Sequence, residues 1–506
     1  MKSIAKGDLF RRIAANRQRL SSPEYRYPGV FGQNSSWPGD WEGRCILGLA
    51  NLYQAFRGYP KEQRSLAKQL REIFQHLPEY LNQDGYFGDL VDVCAVNEQQ
   101  VSGNSWFLRG LIEYYSIVRN PEILQWITKI TERFLLPISQ AYSHYPLVKR
   151  DLGGVGGHIE GRIVDGWLTS SDIGCAFIML DGMSAAYALQ KDERLKQAIE
   201  SIIDAFLAID FVELECQTHA TLSCARGILR FYESTKEPRY LELTESIFGV
   251  YVSEGMTLDY SNKNWFGRPE TWTEPCCIVD SYLLASRLFA LTKKKEYLTL
   301  ANRIYYNAFR SAQRHNGGAG CNTCLTEEQR SMKGYLFEAF FCCTMRFAEG
   351  LRAAKDSAGT YSRNALFLLS PLPMVYRLAK GGSVEIQGDL YQDGEIEILA
   401  RNLSAPLNVS MYLPSSLPFT LTGTECEFED FILRFRLDGS QTVRLKVALT
   451  PHKEGQLRFV GDMLLVKRKA NGEETPFAMD GSFYYYLLDY SALPEEGQAM
   501  EWMQEI

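Results

Sequence analysis

The sequence predicts a mainly α-helical chain with a β domain: an (α/α)6 toroid over residues 1–365, then a carboxy-terminal antiparallel β-sandwich over residues 366–506. Three observations lead there. A helical pattern that ends in an aromatic residue recurs through the first two-thirds of the chain. The hydrophobic period switches from helical to two after Leu368, and the connectors of the helical part are rich in Gly, Trp and polar residues.

In the recurring pattern an amphipathic run ends in an aromatic residue, a short charged turn follows, and a Leu opens the next run. Tyr115 and Leu124 in YYSIVRNPEIL, Tyr187 and Leu195 in YALQKDERL, Tyr232 and Leu241 in YESTKEPRYL, and Phe289 and Leu298 in FALTKKKEYL repeat it, with a weaker copy at Tyr53. Helix–turn–helix units returning every ~45–70 residues describe an array. LFEAFFCCTMRFAEGLRAA, at 336 to 354, opens a sixth helical segment. Such hairpins either stack openly or close into a ring. Irregular repeat lengths favour the ring, because long connectors at one end build a pocket. The candidates for that role are NSSWPGDWEGR, NQDGYFGDL, DLGGVGGHIEGRIVDGW and SNKNWFGRPETWTEP.

Beyond Leu368, the segments GSVEIQGDLYQDGEIEILARN, LNVSMYLPSS, FEDFILRFRL and QTVRLKVALT alternate apolar and polar residues between Gly, Asp, Asn and Pro turns. That is the pattern of half-buried strands in an antiparallel sandwich.

Composition excludes several classes of function. The chain has 506 residues, with 54 Lys and Arg against 61 Asp and Glu, for a net charge of −7. Without a basic run this is no surface for nucleic acid or an anionic membrane. The amino-terminal MKSIAKGDLFRRIAANRQRL lacks the apolar core of a secretory signal, and no uninterrupted apolar stretch is long enough to span a bilayer. A cytoplasmic location is expected, where the 12 cysteines are thiols rather than a disulfide framework. All but Cys426 lie between Cys45 and Cys343.

Two cysteine segments carry the strongest chemical signal. TWTEPCCIVDSY contains Glu274 and Cys276, and FFCCTMRFAEGL contains Cys342 and Cys343. One carboxylate and three thiolates supply a complete tetrahedral zinc shell. Buried packing between helices accounts for the same cysteines equally simply. Cys321 and Cys324 form a CxxC, half of a metal site or a redox pair, with no partner motif. Glycosidic cleavage needs paired carboxylates, for which Glu254, Glu270, Glu274, Asp165, Asp172 and Asp181 are available. Trp37, Trp41, Trp106, Trp167, Trp265, Trp272 and Tyr260 suit stacking on sugar faces, and His219 opens a helix where it can reach a cavity rim. GxSxG, HExxH and phosphate-loop motifs are absent.

Glu254 to Tyr260, then Glu274-Pro-Cys276, then Cys342-Cys343 with Arg346, resemble glycoside hydrolase family 127, β-L-arabinofuranosidases with a zinc-bound cysteine nucleophile. The resemblance runs through most of the chain and implies the same toroid joined to a sandwich. It implies Glu274, Cys276, Cys342 and Cys343 as ligands of Zn²⁺, Cys342 as nucleophile, Glu254 as acid/base and His219 as a sugar contact. Two other sugar-contacting histidines of the family lack counterparts, their places falling near Trp106 and Ala176. Trp106, Tyr260 and Trp272 complete the expected substrate contacts.

The expected activity is that of a retaining exo-glycosidase on a small oligosaccharide or glycoside, a terminal furanoside such as β-L-arabinofuranoside first. A homodimer is expected from the architecture, with no nucleic acid or membrane partner. Two alternatives remain open: a toroid enzyme that uses carboxylates alone, of the unsaturated uronyl hydrolase or sugar epimerase type, and an inactive carbohydrate-binding relative.

Overall fold

The computed structural model describes residues 1–32, 36–150, 159–329, 331–468, 474–476 and 499–505. Among the described residues, twelve helices of nine or more residues build the toroid: α1 (Gly7–Arg19), α2 (Asp40–Ala55), α3 (Pro60–His76), α4 (Glu98–Val118), α5 (Pro121–Ile130), α6 (Met179–Gln190), α7 (Glu193–Leu207), α8 (Thr218–Thr235), α9 (Pro238–Val250), α10 (Pro275–Thr292), α11 (Lys295–Arg303) and α12 (Cys343–Ser357). The inner ring runs α2, α4, α6, α8, α10, α12, each packed on the next, and α12 closes it by packing on α2. Outer helices are amphipathic in the ordinary way. On α3, for example, only Leu66, Gln69, Leu70 and Ile73 are buried. Inner helices are buried nearly all round, and α10, apolar and long enough to cross a membrane by composition, is such a core helix.

The repeated aromatic-and-charged turn has a common physical basis. Arg119, Lys191, Lys236 and Lys293 each follow an inner helix in the left-handed region, with φ of 53, 56, 65 and 61°. Each donates its N–H to the carbonyl four residues back, that of Tyr115, Tyr187, Tyr232 or Phe289. The cationic head then lies 4.9 to 5.7 Å from the centroid of that same ring. A left-handed non-glycine residue costs about 1–2 kcal/mol, and the cation–π contact offsets part of it.

Inner helices cross closely where glycine allows. A Cβ on Gly43 would stand 2.2 Å from the Phe107 nitrogen, so α2 and α4 touch there backbone to backbone.

After α12 ends at Ser357 the chain turns to strands at Gly359, a few residues before the expected boundary. One sheet has the order Lys2–Ala5, Met374–Arg377, Ser383–Gln387, Glu395–Arg401, Gln441–Val447, Phe419–Thr422, so the first residues of the chain belong to the β region. A second runs Cys426–Glu429, Ile432–Leu437, Leu407–Tyr412, Ala365–Leu368, Gly359–Ser362. All pairings in these two sheets are antiparallel except that of Leu407–Tyr412 with Ala365–Leu368. Alternation is clean: Ile396, Ile398 and Ala400 point inward along one strand, Leu433, Phe435 and Leu437 along another.

Two further strand groups involve the helical part of the chain. Val96–Asn97, Trp167–Ser170 and Ile159–Val164 form one, and Gly320–Asn322 with Ser331–Glu338 joins strands from the carboxy-terminal region in the other.

Candidate active site

The amino-terminal ends of the inner helices face one cavity. Asp40 opens α2, Ser102 lies in the first turn of α4, His219 is second in α8, Cys276 is second in α10, and Cys342 caps α12. Helix dipoles add partial positive charge at this end of the ring. The cavity holds about 130 Å³ and is lined by Trp37, Asp40, Arg44, Ser102, Asp172, Cys175, Ile178, Gln217, His219, Glu274, Phe341 and Cys342.

The four residues picked out from the sequence converge. The ligand atoms of Glu274, Cys276, Cys342 and Cys343 all lie within 4.8 Å of one another. Cys276 Sγ and Cys342 Sγ are each 3.3 Å from Cys343 Sγ, contacts far longer than a disulfide. Local backbone explains the convergence. Glu274 precedes the helix in an extended conformation, its N–H held by Asn262 Oδ1 at 3.0 Å, and Pro275 starts α10 so that Cys276 faces inward. Ala339 carbonyl accepts from the Cys342 and Thr344 N–H groups, which turns the chain into α12.

The residues fit a metal ion. Glu274 Oε2 is buried with no hydrogen-bond partner. Burial, then the neighbouring Cys276, pushes the Glu274 carboxyl well above the usual carboxylate range, and burial pushes the Cys276 thiol up to about 11. Cys343 is also raised by burial, whereas hydrogen bonds from Cys276 and Cys343 pull Cys342 down. Arg44, whose Nη1 donates to Cys276 Sγ at 3.4 Å, is the guanidinium beside them. Three sulfurs and a carboxylate oxygen at this spacing are short of positive charge, and the donor set is that of zinc.

His219 is fixed from behind. Its Nδ1 lies 3.0 Å from Asp280 Oδ2, and its buried Nε2, without a partner, belongs to the cavity side. Asp280 also accepts from Ser223, Arg226 and Arg346. Burial would raise its carboxyl, yet Arg346 and Arg226 hold it below the usual range. Asp40 grips Arg44 through both oxygens at 2.8 and 2.9 Å, and burial raises its carboxyl in spite of that pairing.

Other expectations resolve differently. Glu254, expected as acid/base, is exposed at the end of a wide helical turn and does not line the cavity. The peptide carbonyl of Glu254, not its carboxylate, accepts from Lys263. Trp106 is fully buried, with the Arg44 and Arg346 guanidiniums 4.2 and 4.4 Å from its ring and His219 stacked on it, so it supports the histidine. Tyr260 points to the β region, accepting from Arg303 at 2.8 Å and packing near Phe459. Trp272 stands edge-on to Trp265 outside the cavity. Asp181 is buried under Arg109 and Arg230, and Glu270 is an exposed partner of Arg268. Among the aromatic candidates Trp37 lines the cavity, and among the carboxylates Asp172 and Glu274 do. Cys321 and Cys324 are buried outside the four-ligand cluster.

Asp40, Arg44, Gln217, Asp280 and Phe341 were not singled out from the sequence. The one available signal was the Asp40–Arg44 pair, four residues apart on a helix in a connector already marked as pocket-forming.

The chain is thus a helical toroid joined to β-sheets, with three thiols and a carboxylate gathered at one cavity. The catalytic-domain model of the family 127 β-L-arabinofuranosidases matches residues 213–356, the stretch that carries His219, Glu274, Cys276, Cys342 and Cys343. A family 127 β-L-arabinofuranosidase from Geobacillus stearothermophilus T6 superposes with a TM-score of 0.64 at 10% identity, covering 93% of this chain and 87% of its own. Another family 127 β-arabinofuranosidase superposes at 0.63 with 11% identity, over 91% and 80%. A structure described as a glycoside hydrolase gives 0.64 at 12%, over 93% and 83%. No curated protein matches the sequence.

Proposed function

We propose that the protein is a retaining exo-glycosidase that uses Cys342 as nucleophile on a terminal furanoside such as β-L-arabinofuranoside. The observation that carries this reading is the convergence of Glu274, Cys276, Cys342 and Cys343 on the floor of a cavity that His219 Nε2 also faces. Glu274 and the three cysteines would hold a zinc ion, which keeps a coordinated cysteine as thiolate at neutral pH. The resemblance to family 127 supplies the sugar.

The chain's own groups suffice for the steps. Cys342 Sγ attacks the anomeric carbon while the bond from that carbon to the leaving oxygen breaks, and a cavity acid gives that oxygen its proton. The resulting S-glycosyl bond is opened by water, whose proton returns to the same carboxylate and whose oxygen takes the anomeric carbon, freeing the thiolate. Two inversions give net retention. Because Glu254 is exposed and does not line the cavity, we assign the proton-transfer role to Asp172 or Asp40, the non-ligand carboxyl groups of the cavity. His219 and Gln217 are placed to hold sugar hydroxyls. A volume of about 130 Å³ is in keeping with one terminal sugar ring, the basis on which exo action is proposed.

The test is a panel of aryl furanosides and pyranosides assayed with zinc-loaded enzyme, with elemental analysis of the same sample. One zinc per chain and hydrolysis of a furanoside are expected. Turnover that survives Cys342→Ala would overturn the reading, and Asp172→Asn against Asp40→Asn identifies the proton carrier.

A further inference from the structure

Phe340 and Phe341 stand 43% and 45% exposed, edge to face with 5.6 Å between ring centroids, in the segment that leads into Cys342. Leu90, Val93, Leu147, Val148 and Ile163 are exposed as well, but among the described residues Phe340 and Phe341 are the consecutive exposed aromatic pair, and beside a cavity they form a surface for something apolar. Phe340 rests edge-on against the buried Trp41, 5.8 Å away, which anchors that side of the lip. Phe341 continues it into the cavity, which it lines together with the half-buried Trp37.

At about 130 Å³ the cavity is small, of a size for one five-carbon sugar ring. Whatever is attached to that ring therefore leaves through the mouth. Asp40, Arg44 and His219 sit in the first turns of inner helices beside the thiols, whereas Trp37 and Phe341 lie on the connectors that lead into α2 and α12. A second sugar at the mouth needs hydrogen-bonding partners as well as a flat face. Phe340 and Phe341 offer only the face, and Trp37 adds a single indole N–H.

We infer that Trp37 and Phe341, extended by Phe340, form the leaving-group subsite, and that it selects glycosides with an aromatic aglycone over those with a second sugar. The inference rests on the glycosidase reading above and deepens it. The cavity binds the terminal ring, and the aromatic lip stacks on the group that departs.

The experiment uses non-hydrolysable 1-thioglycosides of the sugar that wild-type enzyme turns over in the panel, with benzyl, methyl and glycosyl aglycones, as competitive inhibitors. The benzyl compound is expected to bind about tenfold more tightly than the other two. Phe341→Ala should bring the benzyl-to-methyl ratio to about one, and Phe341→Trp should keep the preference. Equal inhibition constants for benzyl and methyl in an active wild type, or a glycosyl compound that binds best, would sink the aryl subsite and leave the glycosidase reading intact. A wild type that hydrolyses no glycoside in the panel removes both.

Discussion

Cys342 and Asp280 answer different questions at the scale of single residues. Cys342 is half-buried at a helix start, hydrogen-bonded by two thiols and reachable from the cavity, which is what a nucleophile needs. Cys342→Ala should lower turnover of an aryl furanoside by about 10³-fold or more while the far-ultraviolet circular dichroism stays that of the folded chain. Asp280 touches no substrate but holds His219 and sits between Arg226 and Arg346 in the buried middle of the ring. Removing its charge leaves two buried guanidiniums with Glu349 as their shared anion. Asp280→Asn should cost about 3 kcal/mol or more in urea unfolding and should raise KM as His219 loses its orientation. Unchanged stability would show that the buried arginines are balanced without it.

At the scale of elements, the toroid depends on how closely its inner helices approach. Gly43→Ala places a methyl group against the Trp106 and Phe107 backbone, where nothing can move aside, and is expected to lower stability by about 3 kcal/mol or prevent folding. Gly249 lies in α9 with nothing within 4 Å of its Cβ position, so Gly249→Ala should add about 0.5–1 kcal/mol by helix propensity alone. Thermal melts of the two variants should therefore shift in opposite directions, and a Gly43→Ala melt at the wild-type temperature would show that the crossing has slack. The repeated turns were legible beforehand because each is local: an aromatic residue, a cation four positions on and a new helix start fit within a dozen residues. The α2–α4 contact was not, since its partners are more than 60 residues apart in sequence and glycine alone does not say which backbone it will meet.

For the whole molecule, Asp462 joins the two halves. It accepts from Arg303 at the end of α11 and from Tyr412 in the second sheet, while its N–H donates to Tyr391. Burial raises its carboxyl from 3.8 to about 6, against the pull of Arg303. An acid whose folded pKa is raised binds more protons folded than unfolded between those values, so stability falls as pH rises from about 4 to 6 and stays lower above. Keeping this buried carboxylate ionised at neutral pH costs about 3 kcal/mol. Asp462→Asn should therefore stabilise the chain by about 1–3 kcal/mol at pH 7 and give no gain near pH 4, as read by denaturant titration at the two values. The cluster proposed to hold zinc spans α10 and α12, so on that proposal a chelator should lower the melting temperature as well as activity, and added zinc should restore both. A melting temperature indifferent to chelator would remove the metal from the structure.

By itself the sequence determined the periodic features: six helical hairpins, the switch to strands, and the identity of three thiols and a carboxylate able to share a metal. Those follow from short-range spacing and from donor chemistry, which a linear chain displays. Tertiary structure alone decided which groups face the same space. Glu254 is close in sequence to the metal segment yet turns outward, and Trp106 and Tyr260 pack behind or beside the cavity. Asp40, Arg44 and Phe341 enter it from connectors and helix starts far apart in sequence. The reason is geometric. Ring closure of α12 on α2 brings residue 44 to residue 276 and residue 37 to residue 342, and no local spacing encodes those distances.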